Sequence, residues 1–228
     1  MDMNQLKKQA AEKAVEQIQS GMVVGLGTGS TAKFATYKIA ELLKAGILKD
    51  IIAIPTSYAT EQLATELNIP LATFNEIQEI DLTIDGADEV DDKLNLIKGG
   101  GGAMLREKVI AQASKREIIV VDESKISKKL GEKWHVPIEV LKFSVVLERK
   151  FLESLGTEVE LRLNEKGDAY LTDEGNYILD TNFGVIDSPE ELAPKLVTRA
   201  GIVEHGLFVN LTDEVIVASP GGIKSIKK

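Results

Sequence analysis

Short apolar runs alternate with helical stretches through the first half of this chain, and several of the runs end in a glycine-rich or acidic turn. MVVGL at 22–26, IIAIP at 51–55, DLTID at 81–85 and EIIVVD at 117–122 have the length and apolar character of buried strands. LATF at 71–74 reads as a further short strand. Between them lie helical patterns. Leu6, Ala10, Ala14 and Ile18 share one face of a helix over 4–19, with Val15 beside them. A second helix runs over 32–45 and stops at Gly46. TSYATEQLATEL carries a third, with Thr60 as its cap, and a fourth leaves KGGGGA and runs to about Ala113. Strands alternating with helices in this way build a parallel sheet with helices on both faces, an α/β architecture.

The pattern changes near Trp134. PIEVLKF reads as a strand and SVVLERKFLESLG as a helix. TEVELRL, DAYLTD and NYILDTNF follow, with turn signals at Lys166-Gly167 and Glu174-Gly175-Asn176, and these read as antiparallel hairpins. A helix over 189–200 leads to IVEHGLFV, and the tail DEVIVASPGGIKSIKK is strand, turn, strand. A second, smaller α+β domain over 134–207 is expected, with 1–133 and 208–228 forming the parallel-sheet domain.

Composition excludes several functions. Lys and Arg number 27 against 36 Asp and Glu, a net charge of −9, which leaves no broad basic face for nucleic acid. There is no cysteine, so thiolate metal sites, disulfides and cysteine nucleophiles are absent together. The two histidines, His135 and His205, belong to no ligand pattern and read as packing residues beside Trp134 and Phe208. No run approaches the roughly 18 apolar residues of a membrane span, and the first residues lack the apolar region of a signal peptide. A cytoplasmic protein is expected.

Four segments carry chemistry. GLGTGST at 25–31 follows a strand and opens a helix, where glycines and helix N–H groups suit an anion and Thr28, Ser30 and Thr31 add hydroxyls. Ser30 stands where a dinucleotide fingerprint needs its third glycine, and no Gly-Lys-Ser/Thr follows, so a monophosphate fits better than NAD or ATP. The competing interpretation is a tight turn with Ser/Thr capping. DGADE at 85–89 ends a strand, and Asp85 and Asp88 can divide acid and base roles, with Glu89 a third acid nearby; solvated acids on a turn, or a Mg²⁺ site, are the competing interpretations. In KGGGGAMLREK at 98–108 four consecutive glycines precede a helix, so backbone N–H groups can form an anion nest beside Lys98. Glu107, between Arg106 and Lys108, falls early in that helix, where an isolated glutamate is ordinarily solvated. DESK at 122–125 puts Lys125 at the end of a strand within reach of a phosphate.

The order, wording and spacing of these segments resemble ribose-5-phosphate isomerase, type A, over nearly the whole chain, from LKK at 6–8 through TDEGNYILD at 172–180 to SPGGIKSIKK. DGADE combined with IKGGGGAMLREK is the specific part. The resemblance implies a Rossmann-like parallel-sheet domain with a smaller α+β, ferredoxin-like domain. It implies interconversion of D-ribose 5-phosphate and D-ribulose 5-phosphate through a cis-enediolate, in the non-oxidative pentose phosphate pathway. Carried onto this sequence, Glu107 is the catalytic base, Asp85 and Asp88 are active-site acids, and Lys98 joins them. Lys7, Thr28, Gly29, Ser30, Thr31, Gly86, Ala87, Gly99, Gly100, Gly101 and Lys125 complete the substrate contacts. The resemblance further implies no metal or other cofactor, a sugar phosphate as the partner rather than nucleic acid or membrane, and a homodimer or homotetramer. A sugar-phosphate sensor or deaminase on the same fold, a nicotinamide dehydrogenase and a structural protein are the rival classes; the complete Asp, Lys and Glu set, Ser30 and the four-glycine run speak against them in turn.

Overall fold

The computed structural model describes residues 3–228. In chain order the elements are α1 (Met3–Val15), β1 (Val23–Leu26), α2 (Ala32–Lys44), β2 (Ile52–Pro55), α3 (Tyr58–Glu66), β3 (Leu82–Asp85), β4 (Glu89–Val90) and β5 (Leu96–Ile97). Next come α4 (Met104–Ala113), β6 (Glu117–Asp122), β7 (Val136–Val140), α5 (Val145–Ser154), β8 (Glu158–Leu161) and β9 (Tyr177–Asn182). The chain closes with α6 (Pro189–Val197), β10 (Ile202–His205), β11 (Leu207–Phe208), β12 (Glu214–Ser219) and β13 (Gly222–Lys227). Among the described residues no helix is long and apolar enough to cross a membrane.

Contacts divide the chain into two units. One comprises residues through 87, Arg106–Lys125 and Leu211–Lys228; the other comprises Asp88–Leu105 and Ile126–Asn210. Residues 88–105, 126–133 and 208–210, which the sequence pattern groups with the first unit, thus fall in the second. The cause is local pairing. β4 and β5 form a hairpin that β11 extends, Val90 bridges Ile126, and the Glu89 carboxylate accepts N–H groups of Gly131, Lys133 and Trp134.

The first unit holds a six-stranded sheet in the order β13-β12-β6-β3-β1-β2, in which only the edge strand β13 is antiparallel. Counted along the chain, its parallel strands lie in the order 2-1-3-4-5, one of the two common doubly wound arrangements. All six residues of β6 are buried, as a central strand covered on both faces requires. Leu6, Ala10, Ala14 and Val15 of α1 pack with Val24, Leu26, Ile84, Ile118 and Val120 in one core. Burying a side chain of the size of Ile118 or Val120 contributes about 1.5–3 kcal/mol. Ser57, not Thr60, caps α3: its side chain accepts the Thr60 N–H at 3.1 Å. The run 71–74 contributes only a single bridge, Leu71 to Ala53, rather than a strand.

The second unit contains the sequence β7-α5-β8-β9-α6-β10, folded as a four-stranded antiparallel sheet in the order β10-β7-β9-β8. That is the β-α-β-β-α-β ferredoxin-like motif. Its core joins Val136, Ile138, Val140, Leu152, Leu179 and Leu196. DAYLTD, read as strand from its alternation, gives only the bridge Leu163–Ala169. His205 is buried and accepts the Leu207 N–H, as a packing histidine does, whereas His135 is exposed.

Candidate active site

In an open parallel sheet, ligands bind beyond the carboxyl ends of the strands where the order reverses. Here that point lies between β1 and β3, so the loop 27–31 and the turn 85–88 leave the sheet side by side. Asp85 is fully buried, and its Oδ1 accepts the Thr28 N–H at 3.0 Å and the Gly86 N–H at 2.7 Å. Gly27 permits this closeness: a Cβ there would lie 2.3 Å from Asp85 Oδ1 and 2.5 Å from its Cα. The glycine therefore serves the packing of β1 against β3, not the anion directly.

The loop is not the capped turn that its Ser/Thr content also allowed. Thr31 precedes α2 without a side-chain capping bond. The Thr28 hydroxyl instead lies 2.7 Å from Thr56 Oγ1, 2.7 Å from Ser57 Oγ and 3.1 Å from Thr60 Oγ1. The sequence marked Thr60 only as a cap and did not mark Thr56 or Ser57, because hydroxyls at a strand-to-helix junction look like caps until a second loop is brought against them. Ser30 is exposed, and Lys7 reaches it from α1, Nζ donating to Oγ at 2.9 Å. Gly29 is exposed beside it, and Gly86 and Ala87 are half-buried.

Glu107 sits in the first turn of α4 and is only 6% exposed, against the ordinary expectation for a helical glutamate. Lys108 is equally buried, and Arg106 stacks on the Tyr58 ring at 4.0 Å from its centroid. Lys125, half-buried, ends a single 3₁₀ turn that follows β6, the strand next to β3, so it leaves the same end of the sheet.

The second unit positions Asp88 and Lys98 through the β4–β5 hairpin. Glu89 pairs with Ile97, which puts Asp88 opposite Lys98 at the open end. Asp88 donates its N–H to the Ile97 carbonyl, and Lys98 donates its own to the Gly206 carbonyl, both at 2.9 Å. Lys98 is 2% exposed, with Nζ 5.5 Å from the centroid of the buried Phe208 ring. Asp88 Oδ2 accepts the Gly100 N–H at 2.7 Å, so the first acid of this unit is tied to the glycine run. Gly102 has φ +81°, and a Cβ on it would lie 2.6 Å from the Tyr170 ring. Glu89 is not a third acid at the site; it is fully buried, and its backbone N–H partners make it a structural carboxylate. Among the described residues no group of three His, Cys, Asp or Glu is placed to hold a metal ion.

The family model of ribose 5-phosphate isomerase A (phosphoriboisomerase A) matches residues 52–222. The chain is 59% identical over 222 residues to the ribose-5-phosphate isomerase A of Desulfatibacillum aliphaticivorans, covering 97% of this chain and 96% of that protein. A D-ribose-5-phosphate isomerase solved in complex with phospho-erythronic acid superposes with a TM-score of 0.98 at 40% identity over the whole of both chains. The ribose 5-phosphate isomerase A of Methanocaldococcus jannaschii superposes with a TM-score of 0.95 at 37% identity, again over the whole of both.

Proposed function

The chain belongs to the ribose 5-phosphate isomerase A family and is an aldose–ketose isomerase of ribose 5-phosphate; from that premise we propose how its residues divide the work. Glu107 takes the proton from C2 of the open-chain aldose and returns it at C1, while a hydroxyl proton moves between O2 and O1. The intermediate is a cis-enediolate. Its developing negative charge falls to Lys98 and the N–H groups of the run 99–101, and one such preorganised donor is worth about 3 kcal/mol. Asp85 and Asp88 move the hydroxyl protons, and one of them opens the furanose ring. Lys7, Thr28, Gly29, Ser30, Thr31 and Lys125 hold the phosphate and so orient C1 and C2. Gly86 and Ala87 line the sugar.

The observation that carries this reading is the buried Asp85 carboxylate holding the Thr28 N–H, because it joins the proposed phosphate loop to the proposed acid in one place. The ligand of the similar solved isomerase supports it too. An aldonic acid phosphate presents a planar carboxylate, and a carboxylate resembles the charge and planarity of an enediolate. The reading needs no metal and no nucleotide, places the enzyme in the cytoplasm, and includes assembly into a homodimer or homotetramer, which light scattering on the eluting peak measures.

The test is isomerisation of ribose 5-phosphate in excess EDTA, with Glu107→Gln beside the parent protein. Turnover in EDTA is expected. Glu107→Gln should lose about 10²- to 10⁴-fold in kcat and still bind phospho-erythronate. Near-parental turnover by Glu107→Gln would remove Glu107 as the base, and activity restored only by Mg²⁺ or Mn²⁺ would remove the metal-free mechanism.

A further inference from the structure

Arg162 follows β8 directly and is anchored at both backbone groups: its N–H donates to the Ile178 carbonyl and its carbonyl accepts the Tyr170 N–H, each at 2.9 Å. The excursion 163–169 therefore returns Tyr170 to the side of Arg162. The Arg162 guanidinium forks onto Asp180 of β9, with Nε donating to Oδ2 at 2.9 Å and Nη2 donating to Oδ1. Its remaining arm crosses to the glycine run. Nη1 donates to the Gly99 carbonyl at 2.8 Å and to the Gly100 carbonyl at 3.1 Å. The Tyr170 hydroxyl donates to the next carbonyl, that of Gly101, at 3.1 Å. Burial, followed by the nearby Asp173, pushes the Tyr170 phenol above its ordinary range, so it stays a donor.

In a trans peptide the C=O and the following N–H point in opposite directions. Holding the Gly99 carbonyl thus turns the Gly100 N–H away from Arg162, and that N–H meets Asp88 Oδ2 at 2.7 Å. Holding the Gly100 carbonyl turns the Gly101 N–H the same way. Within the run the Gly102 N–H closes a turn onto the Gly99 carbonyl at 2.9 Å, and Arg162 holds that carbonyl and the next from outside it, where glycines alone have little conformational preference.

We propose that Arg162, with Asp180 behind it and Tyr170 beside it, is a positioning residue for the isomerisation: it fixes the Gly99 and Gly100 carbonyls so that the N–H groups of Gly100 and Gly101 face Asp88 and the enediolate. The proposal rests on the site assignment made above. It explains why arginine occupies the position. Asp180 neutralises the charge, so the guanidinium acts through geometry, and a planar fork engages a carboxylate and two carbonyls at once, whereas a lysine ammonium does not.

Arg162→Lys keeps the charge and loses the fork. Its kcat should fall on the order of 10- to 100-fold, the effect of a small misplacement of catalytic groups, with KM for ribose 5-phosphate within about threefold of parental because the phosphate grip is untouched. Tyr170→Phe removes one hydrogen bond and should lower kcat by about 3- to 10-fold. Added guanidinium should restore part of the turnover of Arg162→Ala. Folding is followed by circular dichroism in each variant. Parental kcat in folded Arg162→Lys and Tyr170→Phe, while Asp88→Asn and Glu107→Gln are inactive, overturns the proposal alone. Full activity of Asp88→Asn and Glu107→Gln overturns the assignment beneath it, and the proposal with it.

Discussion

Glu107 and Gly27 show how much of this molecule is decided by single side chains and by their absence. A carboxylate in the first turn of a helix gains from the helix dipole and is usually left in water. Glu107 is buried there, and Asp85 and Lys108 are buried in the same unit, although acidic and basic side chains are seldom fully buried unless paired. Gly27 acts by what it lacks. A methyl group at this position would stand 2.5 Å from both Asp85 Cα and Asp85 Cγ, and neither backbone nor carboxylate can retreat without moving β3. Gly27→Ala should therefore cost about 1–3 kcal/mol of stability, the range for inserting an extra methyl into a packed site. It should also lower kcat, because the displaced group is the acid that holds the Thr28 N–H. Thermal unfolding and steady-state rates measure the two effects together; an unchanged melting temperature would show that β3 yields at no cost.

At the scale of elements, the helices and the longer strands were legible because their apolar periodicity is strong. The strand runs at 22–26, 81–85 and 117–122 became β1, β3 and β6, and the first helix buries Leu6, Ala10, Ala14 and Val15 as its spacing requires. The β4–β5 hairpin was not legible. Its strands are two residues long, and its turn is made by Asp91, whose Oδ1 accepts the N–H groups of Lys93 and Asn95, with Leu94 at φ +64° where glycine would be expected. Without that hairpin, Asp88 and Lys98 are ten residues apart in the sequence with no visible reason to face each other. Arg162 and Tyr170 were hidden for a different reason: their contacts with the glycine run are to carbonyl groups, and carbonyls leave no mark on composition. A second element-level feature is Glu139 at the centre of β7, fully buried and opposite Glu204 of β10. Burial holds it above the ordinary carboxylate range, although Asn176 and Thr172 each donate to its Oε1 at 2.9 Å. Glu139→Gln keeps that acceptor and removes the charge. The melting temperature at pH 7 should rise by a few degrees, and the gain should vanish near pH 4, where Glu139 is already neutral; an equal gain at both values would assign the effect to packing instead.

The whole molecule sets these tendencies against each other, because the displaced carboxylates that pack against the first sheet, Asp81 and Glu214, are depressed, whereas the one buried in the second sheet is raised; the second unit's own depressed carboxylates, Asp187 and Glu190, are exposed and outside its sheet. In the first unit the Val23 N–H and then Lys115 hold Asp81 below its ordinary range. Glu214 would be raised by burial, but the Ser225 hydroxyl, the Gln17 amide, Lys227 and Arg116 outweigh burial and hold it below its range as well. A carboxylate depressed in the folded state gives stability that is present above its unfolded pKa, about 4, and is lost as pH falls through the folded value. In the second unit Glu139 is raised. Its contribution is greatest below its unfolded pKa and is lost as pH rises through the folded value, so acid relieves a strain there that neutral pH imposes. Acidification from pH 7 toward 3 should therefore loosen the first unit while β7 and β9 hold. Hydrogen exchange followed by mass spectrometry reads this directly: peptides from β1, β3 and β12 should lose protection at a higher pH than peptides from β7 and β9. Loss in the reverse order would mean that Asp81, Glu214 and Glu139 do not govern the acid response, and loss in one step across both sheets would mean that the two units unfold as one.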